Sequence, residues 1–165
     1  MMESTLTEIG RVTKEAVIGA IKGSGEKAQA IVGATADLVK GAVEGVGDFT
    51  VAMEKRVEEI VSGAIEGATE VGGDLFMTIK STVYGIVKAG SDVGADVAKT
   101  AVAATEGAIK AGAKAGSDIN EATKGAVTGA IEAGDKIGTQ ASKAVREALT
   151  TSIKGAKDAI KPPTE

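Results

Sequence analysis

A four-residue phrase returns at a fixed interval along nearly the whole chain, and no other feature limits the fold as tightly. Gly19-Ala20-Ile21-Lys22 recurs as Gly41-Ala42-Val43-Glu44, Gly63-Ala64-Ile65-Glu66, Gly85-Ile86-Val87-Lys88, Gly107-Ala108-Ile109-Lys110, Gly129-Ala130-Ile131-Glu132 and Thr151-Ser152-Ile153-Lys154, each step being 22 residues with no insertion. A second phrase lies between, as in AIVGATADLVK from residue 30, DLFMTIKSTVY from 74 and DINEATKGAVT from 118, so the unit reads as two related elevens. Eleven residues in three turns is about 3.67 per turn, close to the natural period of an α-helix. The spacing predicts an all-α chain: one long amphipathic helix, or a few helical segments, with a hendecad coiled coil as its packed form. Residues 1–18 form an N-terminal half repeat, 19–150 six 22-residue units, and 151–165 a partial repeat with a proline-terminated tail.

Folded onto this period, Ile21, Ile31, Val43, Phe49, Met53, Ile65, Leu75, Val87, Val97, Ile109, Ile119, Ile131 and Ile153 fall in one apolar stripe roughly 130° wide. The opposite face takes Lys22, Glu26 and Asp37 with their counterparts. Ser4 or Thr5, with Glu8 behind, suits an N-terminal cap, and proline is absent until Pro162 and Pro163. A continuous helix over residues 4 to 160 would be roughly 230 Å long. The lack of proline argues against a compact bundle with fixed turns, leaving Gly45-Val46-Gly47-Asp48 and Gly72-Gly73 as the candidate hinges.

The chain holds 23 glycines. At about 0.8 to 1 kcal/mol each against alanine, they penalise a free helix by on the order of 20 kcal/mol, so something must cover the stripe. A lipid surface would do so reversibly. Close helix packing would do so through small residues, and Gly63, Gly67, Gly90, Gly94, Gly112, Gly116, Gly125 and Gly129 carry the spacing for it. The charge after each GAI phrase, Lys22, Glu44, Glu66, Lys88, Lys110, Glu132 and Lys154, reads either as a solvated face or as a code setting the stagger of neighbouring helices.

Thr13-Lys14-Glu15-Ala16-Val17 and Thr123-Lys124-Gly125-Ala126-Val127, set in 11-residue units rich in Gly, Ala, Val and Thr, resemble the lipid-binding repeats of synucleins. The period is similar to that of apolipoprotein-like, perilipin and late-embryogenesis-abundant repeats and of bacterial hendecad coiled coils. The long acidic tail of synucleins is missing, and the repeats are near neutral. The resemblance implies a non-enzymatic helix that binds lipid or its own kind, with desiccation protection as a weaker possibility.

Composition points the same way. Histidine and cysteine are absent, which removes the commonest general base, the thiol nucleophile and the usual zinc ligands. Carboxylate pairs such as Asp92 with Asp96 or Glu58 with Glu59 read as solvated helical faces, and GVGD and EVGGD lack the lysine of a phosphate loop. No catalytic residue, cofactor, metal or small-molecule substrate is expected. Nineteen basic residues against 23 acidic ones, interspersed, offer no basic patch for nucleic acid. The longest uncharged run, residues 28 to 36, is far short of a membrane span, and MMESTLTEIG lacks a signal-peptide core, so the expectation is a cytoplasmic or peripheral membrane protein. Phe49, Phe76 and Tyr84 are the only aromatics, placing the most apolar part between residues 49 and 84, with Phe49 on the stripe, Phe76 at its edge and Tyr84 on the polar side.

Overall fold

The computed structural model describes residues 7–43 and 51–160. Within them the chain forms α1 (Glu8–Ser24), α2 (Lys27–Val43), α3 (Val51–Glu70), α4 (Leu75–Asp92), α5 (Val97–Lys114), α6 (Ile119–Ile137), α7 (Thr139–Ser152) and the short α8 (Ala156–Ala159). The all-α expectation holds. The single continuous helix does not, because the chain reverses direction about every 22 residues.

The reversal needs no proline. Gly72, Gly94 and Gly116 take left-handed φ of 86°, 87° and 104°, a conformation that costs glycine nothing. The next backbone N–H, of Gly73, Ala95 and Ser117, then donates at 2.8 Å to the carbonyl of Ala68, Gly90 and Gly112, which closes the helix end in a Schellman turn. One residue later Asp74, Asp96 and Asp118 cap the following helix, their carboxylates accepting from the N–H of Met77 at 3.1 Å, Lys99 at 2.9 Å and Asn120 at 2.7 Å. A stop and a start thus share four residues. The two elevens of each unit are not structurally equivalent, since one begins at the capping aspartate and the other ends in the turn. Position 140, next in that series, is Gln, and α7 begins after Gly138 with no side-chain cap. At the N-terminus the cap is Thr7, whose hydroxyl accepts from Gly10 N at 3.2 Å; Ser4 and Thr5 lie outside the described residues, as do the proposed hinge at 45–48 and the prolines at 162 and 163.

Consecutive helices run antiparallel across these turns, while the broadest contacts join helices two apart: α1 with α3, α2 with α4, α3 with α5 and α4 with α6. The odd helices form one layer and the even helices another, a stack that grows by one helix per sequence unit. Its core is the predicted stripe turned inward. Ile31, Met53, Ile65 and Val87 are fully buried and Ile21 and Ile153 nearly so; Leu75, Val97, Ile109 and Ile131 are half-buried. Ile119 departs from the expectation, being 60% exposed at the first turn of α6. Val43 ends α2, and Phe49 lies outside the described residues. Tyr84, expected on the polar side, packs against the core because helices flank α4 on several sides.

Threonine is the commonest buried polar residue. Thr13, Thr35 and Thr100 donate to the carbonyls of Ile9, Ile31 and Asp96 one turn earlier, at 2.8, 2.8 and 2.7 Å. The hydroxyls of Thr78, Thr82 and Thr105 are buried with no hydrogen-bond partner among the described residues. A buried unpaired hydroxyl costs on the order of 1 to 3 kcal/mol. Thr82→Val, which removes the hydroxyl and keeps the shape, is expected to stabilise the protein by about 1 kcal/mol, read as a higher urea midpoint at unchanged m-value.

Candidate functional site

The residues singled out by the repeat meet where helices of one layer touch. A Cβ at Gly63 would strike the carbonyl oxygen of Gly10 and come within 2.9 Å of Thr13 Cβ, and one at Gly67 would lie 2.8 Å from the Lys14 carbonyl oxygen. A Cβ at Gly129 would strike the carbonyl oxygen of Lys80, and one at Gly125 would press to 3.3 Å on Phe76. Gly85 sits on Val32 and Thr35, and Gly107 on the Glu58 backbone at 3.3 Å. In the four phrases that begin at Gly63, Gly85, Gly107 and Gly129, the first glycine is therefore the point where a helix lies against the backbone of the helix two before it.

Gly90 and Gly112 serve the neighbouring helix instead: a Cβ at Gly90 would lie 3.1 Å from Thr100, and one at Gly112 would lie 3.2 Å from Ala122 and 2.8 Å from Ile79 of α4. Gly94 and Gly116, expected to pack closely, do not: both are the left-handed turn glycines and have open space around them. Gly85, Gly107 and Gly134 are close-contact positions that the GxxxG spacing missed, although the GAI step itself already marked Gly85 and Gly107.

Ion pairs span the same interfaces. Lys14 of α1 reaches Glu66 and Glu70 of α3 at 3.6 and 3.2 Å, Lys40 of α2 reaches Asp92 of α4 at 3.9 Å, and Lys80 of α4 reaches Glu132 of α6 at 3.7 Å. Glu66 and Glu132 both belong to the charge series after the GAI phrase. Hydrogen bonding to Glu70 is the main cause of a raised Lys14 pKa, opposed by desolvation and aided by both carboxylates. These pairs are solvent-exposed, so each contributes about 0 to 1 kcal/mol and marks register more than it adds stability. Between α6 and α7, Asp135 accepts from the Ser142 hydroxyl through Oδ1, and both of its carboxylate oxygens accept from Arg146 Nη2 at 3.2 Å. The Ser142 hydrogen bond leads in holding the Asp135 carboxyl below its ordinary range; burial opposes it and Arg146 assists.

One carboxylate cluster forms that the sequence did not suggest. Glu54 and Glu58 of α3 and Glu106 of α5 each place an oxygen within 4.8 Å of the others. Burial first, and then the charges of Glu54 and Glu58, push the Glu106 carboxyl above its usual 4.5, against a lowering influence from Lys110. Three carboxylate oxygens suit a hard divalent cation, although such an ion takes six or more ligands. Of the pairs considered from the sequence, Asp96 is a helix cap and Asp92 pairs with Lys40 and with Lys88, the latter at 3.5 Å.

Two grooves flank the stack, one between α1, α2 and α3 lined by Ile9, Val12, Leu38 and Ile60, the other between α5, α6 and the C-terminal segment lined by Ile109, Ile119 and Lys124. Among the described residues no helix is long and apolar enough to cross a membrane. No protein-family model matches the chain, and no curated protein or solved structure is significantly similar to it.

Two predictions test this geometry. Gly129→Ala should destabilise by about 2 kcal/mol through overpacking, whereas Gly33→Ala, in a helix with open space at that position, should stabilise by about 0.8 kcal/mol, both read from urea denaturation. Because the folded pKa of Glu106 is raised, the fold binds its proton more tightly than the unfolded chain. The penalty is present at neutral pH and disappears as pH falls through the raised pKa to below about 4.5. Glu106→Gln should therefore raise the melting temperature at pH 7 and change it little in acid.

Proposed function

We propose that this protein is a non-enzymatic helical-repeat scaffold that acts through helix-to-helix contact. The observation that carries this reading is the recurring backbone contact at Gly63, Gly85, Gly107 and Gly129, which commits the apolar face of each unit to another helix of the same chain. A chain built this way offers a regular surface of known spacing rather than a reaction centre. Its partners are protein helices, its own included, and no cofactor or small-molecule substrate enters the reading.

Lipid-surface binding is the second reading, and a specific observation favours it. The core is shallow, made in its C-terminal half of Ala101, Ala104, Ala108, Ala126 and Ala130, and it buries the unpartnered hydroxyls of Thr78, Thr82 and Thr105. A stack held so lightly would open onto a lipid surface and turn Ile65 and Val87 outward, as the resemblance to lipid-binding repeats implies.

Far-ultraviolet circular dichroism of the full chain, first in buffer and then with phosphatidylcholine and phosphatidylserine vesicles, decides between them. The scaffold reading expects a strongly helical spectrum and cooperative thermal unfolding without lipid, unchanged by vesicles. A coil spectrum that becomes helical only with vesicles would overturn it in favour of the lipid reading.

A further inference from the structure

The two ends of the stack are finished differently. At the C-terminal end α7 turns Gln140, Lys143, Glu147 and Thr150 to solvent, the polar outer face expected of a helix that closes a repeat array. At the other end α1 leaves Val12 48% exposed, with Ala16, Gly19 and Gly23 along the same side. Gly19 and Gly23 stand one helix pair before Gly63 and Gly67, the residues that bring α3 onto α1. In α1 itself those positions meet nothing within 4 Å, and the same is true of Gly41 in α2, one pair before Gly85. The contact surface that joins successive helices of one layer inside the molecule continues onto this end and stops with no helix against it among the described residues.

We propose that this face binds the same face of a second copy of the chain, α1 against α1, antiparallel about a two-fold axis. The inference rests on the scaffold reading above. A head-to-tail contact would need a complementary face at the opposite end, and α7 closes that end with polar side chains, so the uncovered end pairs with itself and growth stops at two. The residues suit a two-fold. With the axis between Glu15 and Ala16, Val12 of one copy falls opposite Gly19 of the other, a branched side chain against a bare backbone. The same operation brings Glu8 at the start of α1 beside Lys22 near its end in both directions, two ion pairs set against the one like-charge approach of Glu15 to its own copy at the axis. The helix is about 25 Å long.

The test is sedimentation velocity of the full chain over two decades of concentration, with circular dichroism on every sample. The wild type is expected to shift reversibly from 16.4 kDa to twice that mass. Gly19→Leu, at a position where an added Cβ meets nothing within 4 Å, should weaken dimerisation at least tenfold without lowering the helical signal or the melting temperature of the monomer. Glu147→Lys on α7 should leave the equilibrium unchanged. A helical wild type that stays monomeric throughout would overturn the dimer and leave the scaffold reading standing. Open-ended growth would overturn the two-fold, and a dimer indifferent to Gly19→Leu would overturn this face. A chain without helix in buffer would instead sink the reading on which the dimer rests.

Discussion

Backbone-to-backbone approach between helices two apart is the constraint from which the other features follow. A carbonyl oxygen occupies the space where a side chain would stand at Gly63 and Gly129, so the helices lie closer than leucine-sized cores allow. Large aromatic residues have no room in such a core, and Ala and Val fill it well. The scarcity of aromatics, which on composition alone suggests that no core exists, is the signature of a core made thin by close helices. The glycine cost divides in the same way. Gly25, Gly72, Gly94, Gly116 and Gly155 stand at left-handed positions, where glycine is favoured, so the penalty falls only on those inside helices and close packing offsets it.

The register of the stack is kept in space even where it changes along the chain. Gly85 meets Val32, 53 residues earlier, and Gly129 meets Lys80, 49 residues earlier, yet each glycine is eleventh in its helix and each contact residue sixth in its own. The difference of one helical turn is absorbed between α2 and α4, whose first residues are separated by four more positions than those of α4 and α6. Across the even helices, contact geometry and not sequence spacing is what the fold preserves.

Much of this was legible in the residues. Helix, the 22-residue unit, the inward faces of Ile31, Met53, Ile65 and Val87, and the role of Gly63, Gly67 and Gly129 in close packing all follow from periodicity and residue size. The turn at Gly72-Gly73 is legible as a hinge from its paired glycines, but those at 94–96 and 116–118 hold neither proline nor a glycine pair; the chain breaks its helices with a left-handed glycine followed two residues later by a capping aspartate. That signal was present at Gly72-Gly73-Asp74, Gly94-Ala95-Asp96 and Gly116-Ser117-Asp118, at the same step as the GAI phrase. A period of 3.67 residues per turn cannot distinguish one long helix from many short ones whose turns recur in phase with it. The carboxylate cluster was beyond reach for a different reason: Glu106 joins Glu54 and Glu58 only through the stacking of α5 on α3, a long-range contact that spacing does not reveal.

The mismatch between chain order and contact order bears on how the molecule carries load. The chain links each helix to the next, whereas the broadest contacts of α1 to α4 bind each to the one after that. Tension on the two ends cannot slide one layer past the other without first detaching a terminal helix from both neighbours. The helix at the start of the stack, α1, is held among the described residues by α2 and α3 alone, and so has the fewest neighbours to lose under load.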